Sequence, residues 1–74
     1  MNLRYKYSGR ILSALDRLQK GEQSVLLDMG PMTYRRIDSL RNLAKYYARE
    51  FRGFEISTKT EQSDEMTVLI LSVK

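Results

Sequence analysis

The chain contains no cysteine and no histidine. Without cysteine there is no disulfide framework, no thiolate nucleophile and no sulfur ligand for a metal. Without histidine the usual general base near neutral pH and the commonest remaining transition-metal ligand are missing too. No metal site, cofactor or enzymatic activity is therefore expected, since only carboxylate or lysine chemistry is left. The sequence also has no Gly-x-x-x-x-Gly-Lys phosphate loop and no carboxylates at calcium-loop spacing. No apolar run approaches the roughly 18 residues of a membrane span, and the first residues do not resemble a signal peptide. The expectation is a cytoplasmic protein without a membrane partner.

What is present fits one small domain over residues 1 to 74, with 42% hydrophobic and 30% charged residues. At this length a single core only just outweighs the entropy of ordering the chain. The net charge of +4 is unevenly spread: residues 1 to 20 sum to +4, 21 to 34 to −2, 35 to 53 to +4 and 54 to 74 to −2. Two segments hold the excess positive charge, and a basic surface attracts polyanions such as nucleic acid.

The four glycines and Pro31 punctuate the chain. Before Gly9, LRYKY alternates apolar Leu3, Tyr5 and Tyr7 with Arg4 and Lys6, the period of a half-buried strand. Ser8 then supplies an N-cap for a helix with Ile11, Ala14, Leu15 and Leu18 on one face, closed by Lys20 and Gly21. SVLLDM reads as a second strand ended by Gly30 and Pro31. A second helix runs from Met32 or Thr33 to Arg52, with Gly53 just beyond it. GFEISTKT and MTVLILSV, joined by a polar turn, read as a β-hairpin. The expected fold class is α+β: a two-layer sandwich of order βαβαββ, with two helices on one face of a four-stranded sheet. The last strand is apolar on both faces, at Val68 and Ile70 as well as Leu69 and Leu71. A homodimer through the open sheet face would bury that second set, and a modest exposed patch is the alternative.

At about 100° per residue, Ile37, Leu40, Ala44, Tyr47, Ala48 and Phe51 share one face of the second helix, with Leu43 at its margin. That face is the expected core. Arg41, Lys45, Arg49 and Arg52 form a stripe along the solvent side, beside Arg35, Ser39, Asn42 and Tyr46. Tyr46 is an aromatic ring in the middle of a polar, basic face. Such a face suits phosphate contacts from the arginines and lysine, stacking by Tyr46 and hydrogen bonding by Asn42 or Ser39. The same stripe is also what a solvated helix carries, since surface ion pairs contribute little. Arg36 falls at the border of the core face near the helix start, where it would cover apolar surface or clamp an anion. Arg4, Lys6 and Arg10 would extend that site if their segment lies alongside.

In local sequence and element order, ILSALDRLQKGEQSVLLDM resembles the sulfur-carrier family of thiouridine synthesis, in which a helix ending in a Lys-x-Gly-Glu-type turn feeds a strand. That family works through a Cys-Pro pair at the first helix's start, where this chain has Ser8 and Gly9, so sulfur transfer is not implied. The element order is also similar to the C-terminal domain of bacterial translation initiation factor three and to Alba, both nucleic-acid binders. GPMTYRRIDSL resembles the Arg-x-x-x-His domain of single-stranded nucleic-acid proteins, with Arg36 in place but Leu40 at the histidine position. Small basic proteins of phages and mobile elements share this plan. These resemblances imply the fold and RNA or DNA as a partner. The first function expected is non-enzymatic nucleic-acid binding through Arg35, Arg36, Arg41, Asn42, Lys45, Tyr46, Arg49 and Arg52. The rival is a protein-interaction or regulatory homodimer working through Val68 and Ile70.

Overall fold

A computed structural model of the chain describes residues 3–74, and side chains from Tyr7 onward. Two helices pack on one face of a three-stranded antiparallel sheet. In chain order these are α1 (Leu3–Gln19), β1 (Ser24–Gly30), α2 (Tyr34–Tyr47), a π-helical turn (Ala48–Arg52), β2 (Ile56–Gln62) and β3 (Thr67–Val73). The strands lie in the order β1-β3-β2, so the last strand is central.

The expected four-stranded sheet of order βαβαββ is thus corrected to three strands, because residues 3 to 7 are the first turns of α1. Five residues of alternation are too few to fix a period of two. Leu3 and Tyr7 are also four apart, in phase with Ile11 and Leu15, and that longer helical series prevails. Ser8 and Gly9 accordingly sit inside the helix, not at its start.

Ile11, Ala14, Leu15 and Leu18 are buried on the sheet-facing side of α1, as their spacing indicates. The helix ends where Gly21 takes a φ of 119°, a conformation that costs a residue with a side chain more than glycine. Glu22 N donates back to Arg17 O at 3.3 Å. Thr33 caps α2 from an extended backbone, its Oγ1 accepting from Arg36 N at 3.3 Å.

Strand register follows from the alternation. Val25 and Met29 of β1, Ile56 of β2 and Thr67, Leu69 and Leu71 of β3 are buried beneath the helices. All of these except Thr67 join Ile37, Leu40, Leu43, Ala44 and Ala48 of α2 and the turn after it in one core. The opposite face of the sheet is covered by none of the described elements. Cross-strand partners build three rows on it: Ser24–Ser72–Ser57, Leu26–Ile70–Lys59 and Asp28–Val68–Glu61. Val68 and Ile70 are half-buried there between their neighbours, whereas Leu26 is 62% exposed.

Thr60 Oγ1 is buried with no hydrogen-bond partner among the described residues. Replacing it with the nearly isosteric valine removes an unsatisfied group, so Thr60→Val should leave stability unchanged or raise it by about 1 kcal/mol in urea unfolding. A clear destabilisation would show that the hydroxyl is satisfied. Gly9 lies inside α1, and a Cβ added there meets nothing within 4 Å. Gly9→Ala should therefore stabilise by about 0.5–1 kcal/mol, raising Tm by about 3–6 °C in a domain of this size. A lower Tm would place that glycine outside a regular helix.

Candidate nucleic-acid interface

The last turn after α2 decides what this surface carries. Between Ala48 and Arg52 the backbone widens into a π turn, in which each N–H reaches one residue further back than in an α-helix. Gly53 closes it in the left-handed region at φ 74°, and Phe54 N donates to Ala48 O at 3.1 Å. The extra residue shifts everything beyond Ala48 by one position around the axis. Phe51, expected in the core, turns outward and is 55% exposed. Arg52, expected on the solvent stripe, takes the inward direction that Phe51 was assigned.

Arg52 then becomes a latch between the two helices. Its Nε donates to Asp16 Oδ1 at 2.8 Å, and its carbonyl accepts from Gln19 Nε2 at 3.1 Å. Arg41 is diverted as well. Half-buried beside β2, it donates from Nε to Thr58 Oγ1 at 3.0 Å and from an NH2 nitrogen to Thr58 O at 3.5 Å. Two of the three arginines of the expected stripe, Arg41 and Arg52, therefore serve the packing of α2 onto its neighbours.

The remaining predicted residues stay on the outside. Arg35, Arg36, Asn42 and Lys45 are exposed, and their side chains have no hydrogen-bond or ion-pair partner among the described residues. Arg49 pairs only with its neighbour Glu50, at 3.3 Å in the open, a contact of little energetic weight. Arg36 is exposed instead of lying on the core rim. The Arg4 and Lys6 side chains lie outside the described residues, and Arg10, on α1, donates to Asp28 O of β1 at 2.7 Å.

Tyr46 is 47% exposed and belongs to a cluster that periodicity alone does not reveal. Its ring meets Phe51 edge-to-face at a centroid distance of 5.9 Å and Tyr47 at 6.0 Å. Tyr47 and Phe51 are 5.3 Å apart. Tyr46 and Phe51 are five residues apart, the repeat of a π turn, so the widened backbone is what brings them together. A ring that is half in water yet held by two others is pre-organised, and its outer surface is free. Tyr34, 71% exposed at the start of α2, adds a further ring that the sequence reading passed over.

Among the described residues no group of three or more acidic, histidine or cysteine side chains is placed to hold a metal, and no helix is long and apolar enough to cross a membrane. Among the described residues the one ionisable pair with a resolved shift joins the end of α1 to the turn that follows it. Two hydrogen bonds from Arg17, at 2.6 and 2.7 Å, hold the Glu22 carboxyl below its ordinary value and raise Arg17 further.

Comparison with known proteins adds no relative: no family model, curated protein or solved structure matches the chain. The similarity of plan to the sulfur carriers, to the initiation-factor domain and to Alba rested on a first strand at residues 3 to 7, which is helical here.

Alanine replacement separates the two groups of basic residues. Arg41→Ala should cost about 1–2 kcal/mol, since it removes a charged donor from half-buried partners, whereas Lys45→Ala should change unfolding by less than about 0.5 kcal/mol. Equal costs would contradict the division. The Glu22 pair makes a contribution that is fully present at neutral pH and disappears as pH falls through the lowered carboxylate value. In an NMR titration the Glu22 midpoint should rise when Arg17 is replaced by alanine, and an unchanged midpoint would remove the bridge from solution.

Proposed function

We propose that the chain is a non-enzymatic module that binds single-stranded nucleic acid across the outer face of α2 and its π turn. The observation that carries this reading is the exposed Tyr46–Phe51 pair flanked by Lys45 and Arg49. Aromatic rings with free surface beside exposed cations, Lys45 without a partner and Arg49 in only a weak surface pair with Glu50, match what unstacked bases and their phosphates require. Arg35, Arg36 and Asn42 continue the same side toward the helix start, with Thr33-capped backbone donors nearby. In this role Lys45, Arg49, Arg35 and Arg36 meet phosphates, Tyr46 and Phe51 stack on bases, and Asn42 hydrogen-bonds a base edge or sugar. Arg41 and Arg52 hold the helix in place and contact the ligand only secondarily. Bases stacked within a duplex do not offer their faces to side chains, so the reading favours single strands over duplex.

A second reading rests on the uncovered face of the sheet, where Leu26, Val68 and Ile70 meet. Under it the working surface takes a protein, and Val68→Asp abolishes the function while leaving oligonucleotide binding intact.

The test is fluorescence anisotropy with labelled single-stranded RNA, single-stranded DNA and duplex at several salt concentrations. Contacts to three or four phosphates predict a log–log salt slope of about −2 to −3 for single strands. Tyr46→Ala and Phe51→Ala should each weaken binding about 5- to 100-fold, the loss of one stacked base, with far-UV circular dichroism unchanged. Absence of binding at low salt, or binding indifferent to both substitutions, would overturn the reading.

A further inference from the structure

The free edge of β1 is the least explained surface of the fold. Lys74 N donates to Glu55 O at 3.2 Å, and in an antiparallel ladder the hydrogen-bonding positions recur every second residue. Val68, Ile70 and Ser72 therefore turn their backbone groups toward β2, and Leu69 and Leu71 turn theirs toward β1. Their partners there are Leu27 and Val25, which leaves the N–H and C=O of Ser24, Leu26 and Asp28 pointing out of the sheet. The bond from Arg10 to Asp28 O fixes the same direction independently.

The two sheet edges are protected unequally. On β2, Arg41 covers Thr58, Gln62 donates to Met32 O, and Lys59 and Glu61 charge the strand. Charged side chains of this kind are how edges avoid further pairing. On β1, SVLLDMG has no lysine, its register irregularity is confined to its end between Asp28 and Gly30, and only Asp28 O is covered. The outward backbone groups of Ser24 and Leu26 have no protein partner among the described residues, and the Leu26 side chain stands 62% exposed beside them.

We propose that this edge pairs with β1 of a second copy, antiparallel about a two-fold axis at Leu26, to form one continuous six-stranded sheet from two three-stranded ones. The register follows from the rows on the uncovered face. With Leu26 on the axis, the row Lys59–Ile70–Leu26 runs straight into Leu26–Ile70–Lys59 of the second copy. Glu61–Val68–Asp28 meets Ser24–Ser72–Ser57, placing a carboxylate opposite a hydroxyl on each side of the axis. Shifting the axis to Val25 sets Leu26 against serine and loses both matches. Above the sheet, a shallow groove of about 330 Å³ between α1 and β1, bordered by Gly9, Ser13, Arg17 and Leu27, leaves room for a few side chains of the second copy. Arg10 is the guard of this edge: its hold on Asp28 O competes with the Ser24 N–H that arrives from the second copy.

The test uses the unmodified chain and single-cysteine variants, which are unambiguous because the chain has no cysteine of its own. Sedimentation of the unmodified chain should show a concentration-dependent dimer below about 1 mM, and Arg10→Ala should tighten it about tenfold. Leu26→Cys should form a disulfide-linked dimer in a glutathione buffer, since hydrogen-bonded antiparallel partners have Cα atoms about 5.5 Å apart, within disulfide reach. Lys59→Cys, in the same row at the far edge, should link at least tenfold more slowly. Ser24→Cys and Asp28→Cys should link when mixed and not separately. A chain that stays monomeric throughout, or a dimer in which Leu26→Cys links no faster than Lys59→Cys, would overturn the proposal.

Discussion

The widened turn from Ala48 to Arg52 is the feature on which the rest of this surface depends. A regular α-helix would carry Phe51 into the core and Arg52 into solvent. One extra residue in the turn exchanges them. The outward phenylalanine completes a ring cluster with Tyr46 and Tyr47, and the inward arginine ties the end of α2 to Asp16 of α1. One backbone irregularity therefore both exposes apolar surface and provides the polar latch that fixes its position. Here the π turn ends the helix, with Gly53 closing it, and its effect is to re-aim the side chains of Phe51 and Arg52.

The second organising constraint is the sheet, whose strands must either pair or be covered along their edges. Arg41 and Arg10, one from each helix, reach down to the outward carbonyls of β2 and β1. They compensate backbone groups that only water would otherwise meet. Two of the chain's 13 basic side chains are therefore engaged with the backbone of the sheet edges. Part of the positive charge is structural, and Arg35, Arg36, Lys45 and Arg49 remain exposed on α2 and the turn after it.

Much of this was legible in the sequence where the signal was long. The series Ile11 to Leu18 and Ile37 to Ala48 identified both helices and their buried faces, and the alternation in ISTKT and TVLILSV identified the hairpin. The failures have physical reasons. LRYKY satisfies a strand and a helix equally over five residues, and only its phase with Ile11 and Leu15, read across Ser8 and Gly9, decides for the helix. Tyr46 stood out correctly as a ring without a core partner, but a wheel with a fixed angle per residue has no way to represent the widened turn that gives it Phe51 as a neighbour. The diversion of Arg41 depends on β2 lying at the sheet edge beside α2, a tertiary fact that no local spacing encodes.

The most direct measurement of this account is a set of proton–proton nuclear Overhauser contacts from the Phe51 ring in solution. The widened turn predicts contacts to the rings of Tyr46 and Tyr47, and none to Leu40 or to the buried face of α1. Contacts from Phe51 to Leu40 or Leu15, with Arg52 free of Asp16, would mean that the helix continues in regular α form. The contact of Phe51 with Tyr46, and the interface proposed on it, would then be lost.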